Sequence, residues 1–203
     1  MHQSSGLTKA IRFFLLICIS AGILFSCSGS KSASEGTYRA PGYVKKNYQQ
    51  LIVYAKIDND AYRQKLENVM VETLGKHGFK AIPAYKNLDV TYKYDSVKFM
   101  NRINELKVDG VIAFDYLGQT TGVTDQYRYN GGMYNYFASG SAPFDLQTSS
   151  RQVGYVRIDF YNLDARVTQY NTSLEIKLFN GLDEAVKLLT EDTYTRLKND
   201  RIL

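Results

Sequence analysis

Two aspartates and one histidine are the side chains of this sequence best suited to acid–base chemistry. Asp115 lies within the apolar stretch 111–117, where a carboxylate is costly unless it is paired. A buried carboxylate with a raised pKa can act as a general base, although carboxylates paired for structural reasons are perturbed in the same way. Asp159 could supply a second carboxylate. His77 precedes Gly78 at the expected end of a helix, where it caps the last carbonyl groups rather than catalyses.

Motif searches add no catalytic, cofactor or metal site to these candidates. The sequence contains no Gly-x-Gly-x-x-Gly, Walker loop, Gly-x-Ser-x-Gly or His-Glu-x-x-His pattern. Asp58, Asn59 and Asp60 lack the glycine and distal glutamate of a calcium loop, and helix capping explains them better. We therefore expect no enzyme, cofactor or metal. A hydrolase working through Asp115 and Asp159 is the remote alternative.

Residues 118–151 are rich in tyrosine, glycine and serine and show no periodic pattern. Such a long loop in a compact domain is either functional or disordered. Tyrosine offers contact area at low entropic cost together with a hydrogen-bonding hydroxyl, which suits partner proteins or sugar rings. The alternative is an excursion between strands with its tyrosines packed on the sheet. The candidate partner- or ligand-binding residues are Tyr127, Tyr129, Tyr134, Tyr136 and Phe137.

A cysteine follows an apolar run near the amino terminus. The run, residues 13–25, lies behind Lys9 and Arg12 and is shorter than the about 20 residues of a transmembrane helix. A basic segment followed by a short apolar one is typical of a secretory signal peptide. The sequence Leu24-Phe25-Ser26-Cys27 resembles the lipobox of bacterial lipoproteins. That resemblance implies cleavage before Cys27, a diacylglycerol on its sulfur and acylation of the new amino group.

The lipobox resemblance predicts a signal peptide over residues 1–26 and an anchor at Cys27. Each buried methylene contributes about 0.8 kcal/mol, so two or three palmitate-like chains hold a protein on a membrane where one chain would not. Cys18 follows bulky Ile17 and makes a poorer lipobox. Ser28 resembles the outer-membrane sorting signal of some Gram-negative lineages. We expect a lipoprotein anchored in the bacterial cell envelope at the outer membrane, with the inner membrane as the alternative.

Composition limits the partners of the mature chain. Residues 27–40, the lipidated cysteine and small polar residues, are expected to form a flexible tether closed by Pro41-Gly42. The formal net charge is +5, and loss of Lys9 and Arg12 with the signal would lower it by two. This weak, evenly spread charge argues against nucleic acid as a partner.

Hydrophobic patterning in the first half of the domain alternates between strands and helices. The apolar run 50–57 predicts a strand buried on both faces. The next element is a predicted helix that is capped at residues 58–60 and ends at Gly78. Residues 79–85 are expected to form a short strand. A second predicted helix starts at Asp95-Ser96, with Met100 in its apolar stripe. Residues 111–117 complete a βαβαβ order with parallel pairing.

The second half is expected to form a hairpin and a helix. Residues 154–163 and 167–179 alternate in polarity and predict an antiparallel pair, with Arg157, Asp159 and Tyr161 on a polar face. Asn180 is the expected N-cap of the final helix. The predicted fold class is α/β (α+β): a mixed sheet with helices packed on it, in one domain over residues 41–203 with the loop 118–151.

This pattern resembles small α/β domains of envelope lipoproteins, including the amino-terminal domain of the Tol-system propeller protein. The resemblance covers most of residues 48–203 and includes Arg63 and Glu67, Gly-Phe-Lys-Ala-Ile at 78–82 and Asp-Gly-Val-Ile-Ala-Phe at 109–114. It implies a non-enzymatic binding or assembly module that engages the membrane through its anchor and an envelope protein as partner. The alternative is a glycan- or small-ligand-binding lipoprotein using the loop tyrosines.

Overall fold

The computed structural model describes residues 37–118, 133–139, 153–163, 168–177 and 181–203, all of which belong to one compact unit, Gly36–Leu203. Cys27, Tyr127 and Tyr129 lie outside the described residues, and the expectations for them stay predictions. Within these ranges, no helix has the length and apolar character needed to cross a membrane.

The described residues form six strands, five α-helices and one 3-10 helix. Their order confirms the predicted α/β class, with strands and helices alternating before a carboxyl-terminal hairpin and helix. In chain order they are β1 (Tyr38–Arg39), β2 (Leu51–Lys56), α1 (Asp60–Lys76), β3 (Ala81–Pro83), α2 (Ala84–Asn87), the 3-10 helix (Val90–Tyr94), α3 (Ser96–Glu105), β4 (Gly110–Gly118), α4 (Met133–Ala138), β5 (Val153–Asn162), β6 (Tyr170–Lys177) and α5 (Leu182–Asn199).

The six described strands form one mixed sheet in the order β1-β6-β5-β4-β2-β3. Strand β2 pairs in parallel with β3 and β4, which confirms the predicted βαβαβ pairing. Strands β5 and β6 pair antiparallel, as the hairpin pattern predicted. The antiparallel pairing of β4 with β5 and of β6 with β1 was not predicted. All six residues of β2 are buried, as expected for a nearly unbroken apolar strand between two neighbours.

Helices cover both faces of the sheet. Leu66 of α1 and Leu189 of α5 belong to the core on one face. A second core on the opposite face includes Phe99 of α3 and Tyr136 and Phe137 of α4. Because both faces are buried there, alternation of side chains along the central strands β2 and β4 separates two cores rather than a core from solvent.

Two helix starts were predicted correctly, and one was not. The Asn59 side chain accepts a hydrogen bond from the Tyr62 amide at 3.2 Å, and Asp95 caps α3 in the same way through the amides of Val97 and Lys98. The predicted cap at Asn180 is wrong, because the N-cap of α5 is Gly181, which has no side chain. Acidic residues in the first turn of α5 complement the helix dipole instead.

Two further predictions need correction, one about the tether and one about the buried side of α3. The predicted tether of residues 27–40 overlaps the folded unit, since Tyr38 and Arg39 form β1 and pair with Asn171 and Tyr170 of β6. Extended residues beside an open strand edge can satisfy their backbone groups by pairing with it. Met100, placed in the buried stripe of α3, is 37% exposed, because Phe99 and Ile103 are the residues that α3 buries.

Gly110 and Gly75 provide a matched pair of glycine-to-alanine substitutions. A Cβ at Gly110 would lie 2.7 Å from Leu51 Cδ2 and 2.8 Å from Tyr48 Cδ1, whereas one at Gly75 has nothing within 4 Å. We expect Gly110→Ala to lower the free energy of unfolding by about 1–3 kcal/mol through overpacking. Gly75→Ala should raise it by about 0.5–1 kcal/mol. Urea denaturation measures both, and a neutral Gly110→Ala would contradict the close approach.

Candidate functional site

A row of charged side chains crosses the sheet on the face that α4 covers. Lys56 of β2 lies opposite Asp115 of β4, and Asp115 lies opposite Arg157 of β5. Asp159 follows two residues later on β5 and therefore points to the same face. All four residues are buried. The hairpin thus carries Arg157 and Asp159 on one face, as predicted, but that face is buried and does not meet water.

Arg157 bridges the two carboxylates of this row. Its Nη2 donates a hydrogen bond to Asp115 Oδ2 at 2.6 Å, and its Nε donates to Asp159 Oδ2 at 2.9 Å. Charge-assisted hydrogen bonds of this kind are stronger than neutral ones. Taking three charges out of water is nonetheless costly, and their mutual attraction offsets that cost only when the geometry is good.

Burial dominates the titration of this cluster. It raises the pKa of Asp159 to about 6, although the adjacent Arg157 guanidinium acts in the opposite direction. Burial also raises the pKa of Asp115, against the opposing charges of Arg157 and Lys56. For Arg157, burial alone would lower the pKa, but Asp159 and Asp115 together raise it. The guanidinium therefore stays charged while the carboxylates titrate.

Helix α4 brings aromatic side chains of the 118–151 segment onto the charged row. Lys56 Nζ donates a hydrogen bond to Ser139 Oγ at 2.8 Å and lies 5.0 Å from the centroid of the Tyr136 ring. The Tyr54 ring of β2 lies 5.8 Å from that of Tyr136 and 5.3 Å from that of Phe137. Asp115, Asp159 and two of the five candidate aromatic residues thus belong to one region.

The candidate aromatic residues do not share one environment. Tyr136 and Phe137 are only 1% and 2% exposed and pack in the core on this face of the sheet, which is the alternative that the sequence left open for the tyrosines of this segment. Tyr134 is half-buried: its hydroxyl donates to the Lys93 carbonyl at 2.9 Å, and its ring lies 5.6 Å from that of Phe99. A six-residue helix was not expected in this segment.

The cluster can fasten α4 to the sheet, but its carboxylates are already engaged. Each carboxylate accepts a hydrogen bond from the same guanidinium through its Oδ2 atom. His77 is the C-cap residue of α1, as expected, and its ring stacks on Tyr194 with centroids 3.7 Å apart. Across the described ranges, no three His, Cys, Asp or Glu side chains are grouped to hold a metal ion.

Four exposed hydrophobic side chains close in sequence were not predicted. Four side chains on the 3-10 helix and α3 lie outside both cores; they are exposed by 37–88% and are called here the α3 surface: Val90, Tyr94, Val97 and Met100. Val97 and Met100 are three residues apart and therefore neighbours on the helix. That spacing of Val97 and Met100 was the available signal.

The raised pKa of Asp159 predicts a pH dependence of stability. A carboxylate whose pKa is higher in the folded protein contributes stability that is present below the unfolded value, near 4, and is lost as the pH rises through about 6. Relative to Asp159→Asn, the wild type should lose about 1–3 kcal/mol of unfolding free energy over this range. Urea denaturation across the range measures it, and parallel curves for the two proteins would contradict the shift.

Comparison with known proteins gives distant structural likenesses. No protein-family model and no curated protein matches the chain. A single-residue variant of the PelC dodecamer from Paraburkholderia phytofirmans is 10% identical, with a TM-score of 0.45 over 76% of this chain and 90% of that one. Lipoprotein GNA1162 from Neisseria meningitidis is 9% identical, with a TM-score of 0.40 over 74% and 98%. Protein XCC0632 from Xanthomonas campestris, of family DUF330, is 7% identical, with a TM-score of 0.40 over 76% and 86%. Likenesses this remote carry no argument about function.

Proposed function

We propose that this chain is a lipoprotein of the bacterial cell envelope that acts as a membrane-anchored, non-enzymatic binding or assembly module. The observation that carries the proposal is Leu24-Phe25-Ser26-Cys27 at the end of a short apolar run. A polar segment, 28–36, joins this motif to the folded unit. As a coil it would span roughly 15–20 Å, which keeps the domain close to the membrane that holds the acyl chains. Ser28 favours the outer membrane.

The state of the acidic side chains supports a non-enzymatic role. Two carboxylates that share a guanidinium are poorly placed to transfer protons to a substrate. Hydrolysis of a glycosidic bond would need two carboxyl groups facing each other across a cleft that admits the substrate. The glycan-binding alternative now depends on Tyr127, Tyr129 and half-buried Tyr134, because Tyr136 and Phe137 are core residues.

The α3 surface supports a protein partner. Exposed aliphatic and aromatic side chains grouped together are typical of protein contact sites, in which tyrosine and methionine are enriched. Tyr94 is 88% exposed and Val97 67%, so neither contributes to a core. We assign this surface, together with any contacts of Tyr127 and Tyr129, to recognition of an envelope protein.

Two variants test the proposal in intact cells. Cys27→Ala should abolish incorporation of labelled fatty acid and change how the protein fractionates with envelopes; unchanged labelling and sedimentation would contradict the anchor. Tyr94→Ser should remove specific crosslinks to envelope proteins while thermal unfolding stays as in the wild type. Leu188→Ser, at an exposed position of α5, is the matched control and should keep the crosslinks. Loss of the same crosslinks in both variants would count against the α3 surface.

A further inference from the structure

The segment that precedes β2 is fastened to the turn that follows α5. Residues 37–48, called here the arm, lie beside residues 200–203. Three arm side chains donate hydrogen bonds to main-chain oxygens of that turn: Arg39 to Asp200 at 3.1 Å, Tyr43 to Ile202 at 3.1 Å and Lys45 to Leu203 at 2.7 Å. These contacts bring the basic residues of the arm next to those at the end of α5.

The positive charge of the folded unit belongs to the region where these two segments meet. The arm and residues 194–203 together contain six Lys or Arg residues and one Asp. Residues 49–193, between them in sequence, contain 16 Lys or Arg residues and 18 Asp or Glu residues. The excess of basic residues in the domain therefore comes from this one region.

Three exposed cations form what is called here the basic surface: Arg39, Lys198 and Arg201. The Arg39 guanidinium bonds to a carbonyl group, and Lys198 Nζ lies 5.9 Å from the centroid of an aromatic ring. Neither contact neutralises the charge. The Asp200 carboxylate is half-buried and accepts a hydrogen bond from the Tyr170 hydroxyl at 2.7 Å, which holds it toward β6. The basic surface thus suits an anionic partner.

An apolar side chain projects from the same region. Val44 is 79% exposed and lies in the arm between Tyr43 and Lys45, both of which are bonded to the turn after α5. Exposed apolar groups beside Lys and Arg are typical of surfaces that lie in the interface of a bilayer, where the apolar group enters the headgroup boundary and the cations attract anionic lipids.

The arm is also the part of the fold closest in sequence to the proposed anchor, since residues 28–36 alone separate the two. We propose that the basic surface and Val44 contact anionic phospholipids of the membrane. This inference rests on the proposed anchor for the position of the arm beside the bilayer. Tyr43 and Tyr48 of the arm pack on the core under α1 and α5, whereas Phe99 of α3 belongs to the opposite core. Membrane contact through the arm therefore leaves the α3 surface available to a protein partner.

The proposal predicts a graded loss when charges are removed. Each Lys or Arg close to an anionic bilayer changes the binding equilibrium by about fivefold. The variant Lys198→Gln with Arg201→Gln should therefore lower the ratio of bound to unbound domain by roughly 30-fold. Neither side chain contributes a hydrogen bond between the arm and the turn. The effect should shrink in high salt, which screens exposed charges.

A tryptophan reporter reads the contact directly, because the chain contains no tryptophan. Val44→Trp places the reporter in the arm, and Val97→Trp is the matched control at an exposed valine of α3. The full chain as expressed is reconstituted in vesicles of phosphatidylcholine, with or without phosphatidylglycerol, that carry a headgroup spin label as quencher. Time-resolved fluorescence gives the ratio of quenched to unquenched molecules. Phosphatidylglycerol should raise this ratio at position 44 and leave it low at position 97.

Matched charge variants complete the test in the Val44→Trp protein. Lys198→Gln with Arg201→Gln should remove the phosphatidylglycerol-dependent quenching. Lys98→Gln with Lys187→Gln removes two exposed charges elsewhere and should keep it. Equal quenching at positions 44 and 97, quenching at position 44 that ignores phosphatidylglycerol, or equal losses in the two charge variants would overturn the proposal. Crosslinks from position 44 to an acidic envelope protein, without lipid quenching, would assign the surface to that protein instead and would also overturn it.

Failure of this contact is distinguishable from failure of the anchor. Flotation of the chain with the vesicles reads the anchor, whereas quenching at position 44 reads the surface. A chain that floats without phosphatidylglycerol-dependent quenching would keep the anchor and contradict the basic surface. With Cys27→Ala, flotation on pure phosphatidylcholine should fall, while an excess of phosphatidylglycerol vesicles should still quench position 44 in a salt-sensitive way. Absence of that quenching would contradict the basic surface.

Discussion

Replacing Arg157 with methionine is expected to lower the free energy of unfolding by about 3–5 kcal/mol. Its guanidinium donates to Asp115 Oδ2 and Asp159 Oδ2, and all three side chains are buried. Without it, the two buried carboxylates keep only Lys56 as an opposing charge, and the guanidinium no longer offsets their lost hydration. Urea denaturation at neutral pH measures the loss, and the destabilisation should shrink at low pH as the carboxylates become protonated.

A matched surface charge and a rescue variant control this prediction. Lys76→Met removes one positive charge from an exposed ion pair with Glu72 and should change stability far less, because exposed pairs contribute little. Adding Asp115→Leu, Asp159→Leu and Lys56→Met to Arg157→Met should recover much of the loss, since apolar replacement of a whole buried ionic group is often neutral or stabilising. An Arg157→Met protein as stable as Lys76→Met would show that the guanidinium does not compensate the carboxylates.

Periodicity predicted the elements that bury a regular stripe or an unbroken run. Strand β2 is apolar at nearly every position because it has neighbours on both edges and helices on both faces. The caps Asn59 and Asp95 were recognisable because a side-chain oxygen must accept from the free amides of the first turn. Both signals are local, so one sequence was enough to find them.

The candidate site was harder to predict because its chemistry comes from cross-strand partners. Alternation placed Arg157 and Asp159 on a polar face of the hairpin, and polar faces of antiparallel sheets usually meet water. Here α4 covers that face, and Asp115 on the neighbouring strand supplies the charge that makes burial tolerable. A six-residue helix such as α4 is too short to show a period of 3.6 residues. The sequence therefore gave no sign that a helix covers the charged residues.

Glu67 illustrates the same difficulty within a helix. It lies next to Leu66 in the stripe that α1 buries, and its side chain is fully buried. Arg63 four residues earlier was a visible partner, and the two form an ion pair at 3.2 Å. The carboxylate also accepts hydrogen bonds from the backbone amides of residues 55 and 85. These amides are distant in sequence and come close to Glu67 only in the folded protein.

Replacing Glu67 with leucine is the second substitution with a large expected effect. Strand β3 ends at Pro83, which lies opposite Val53 of β2. The Ala55 amide, the next one on this edge of β2, therefore has no carbonyl acceptor on β3. Glu67 Oε1 accepts from the Ala55 amide at 3.0 Å, and Oε2 accepts from the Tyr85 amide at 2.7 Å. The carboxylate thereby takes the place of the missing strand and fixes the chain as it enters α2.

Glu67→Leu should lower the free energy of unfolding by about 2–5 kcal/mol, because each buried amide left without an acceptor costs about 1–3 kcal/mol. Glu67→Gln keeps one acceptor oxygen and should lose roughly half as much. Urea denaturation of both variants, with exposed Glu72→Gln on the same helix as the control, measures the effect.

Burial raises the pKa of Glu67 despite these hydrogen bonds, so its charge weakens folding as the pH rises through the folded pKa. The Glu67→Leu deficit should therefore be larger in acid than at neutral pH, and the opposite trend would contradict this account of the buried carboxylate.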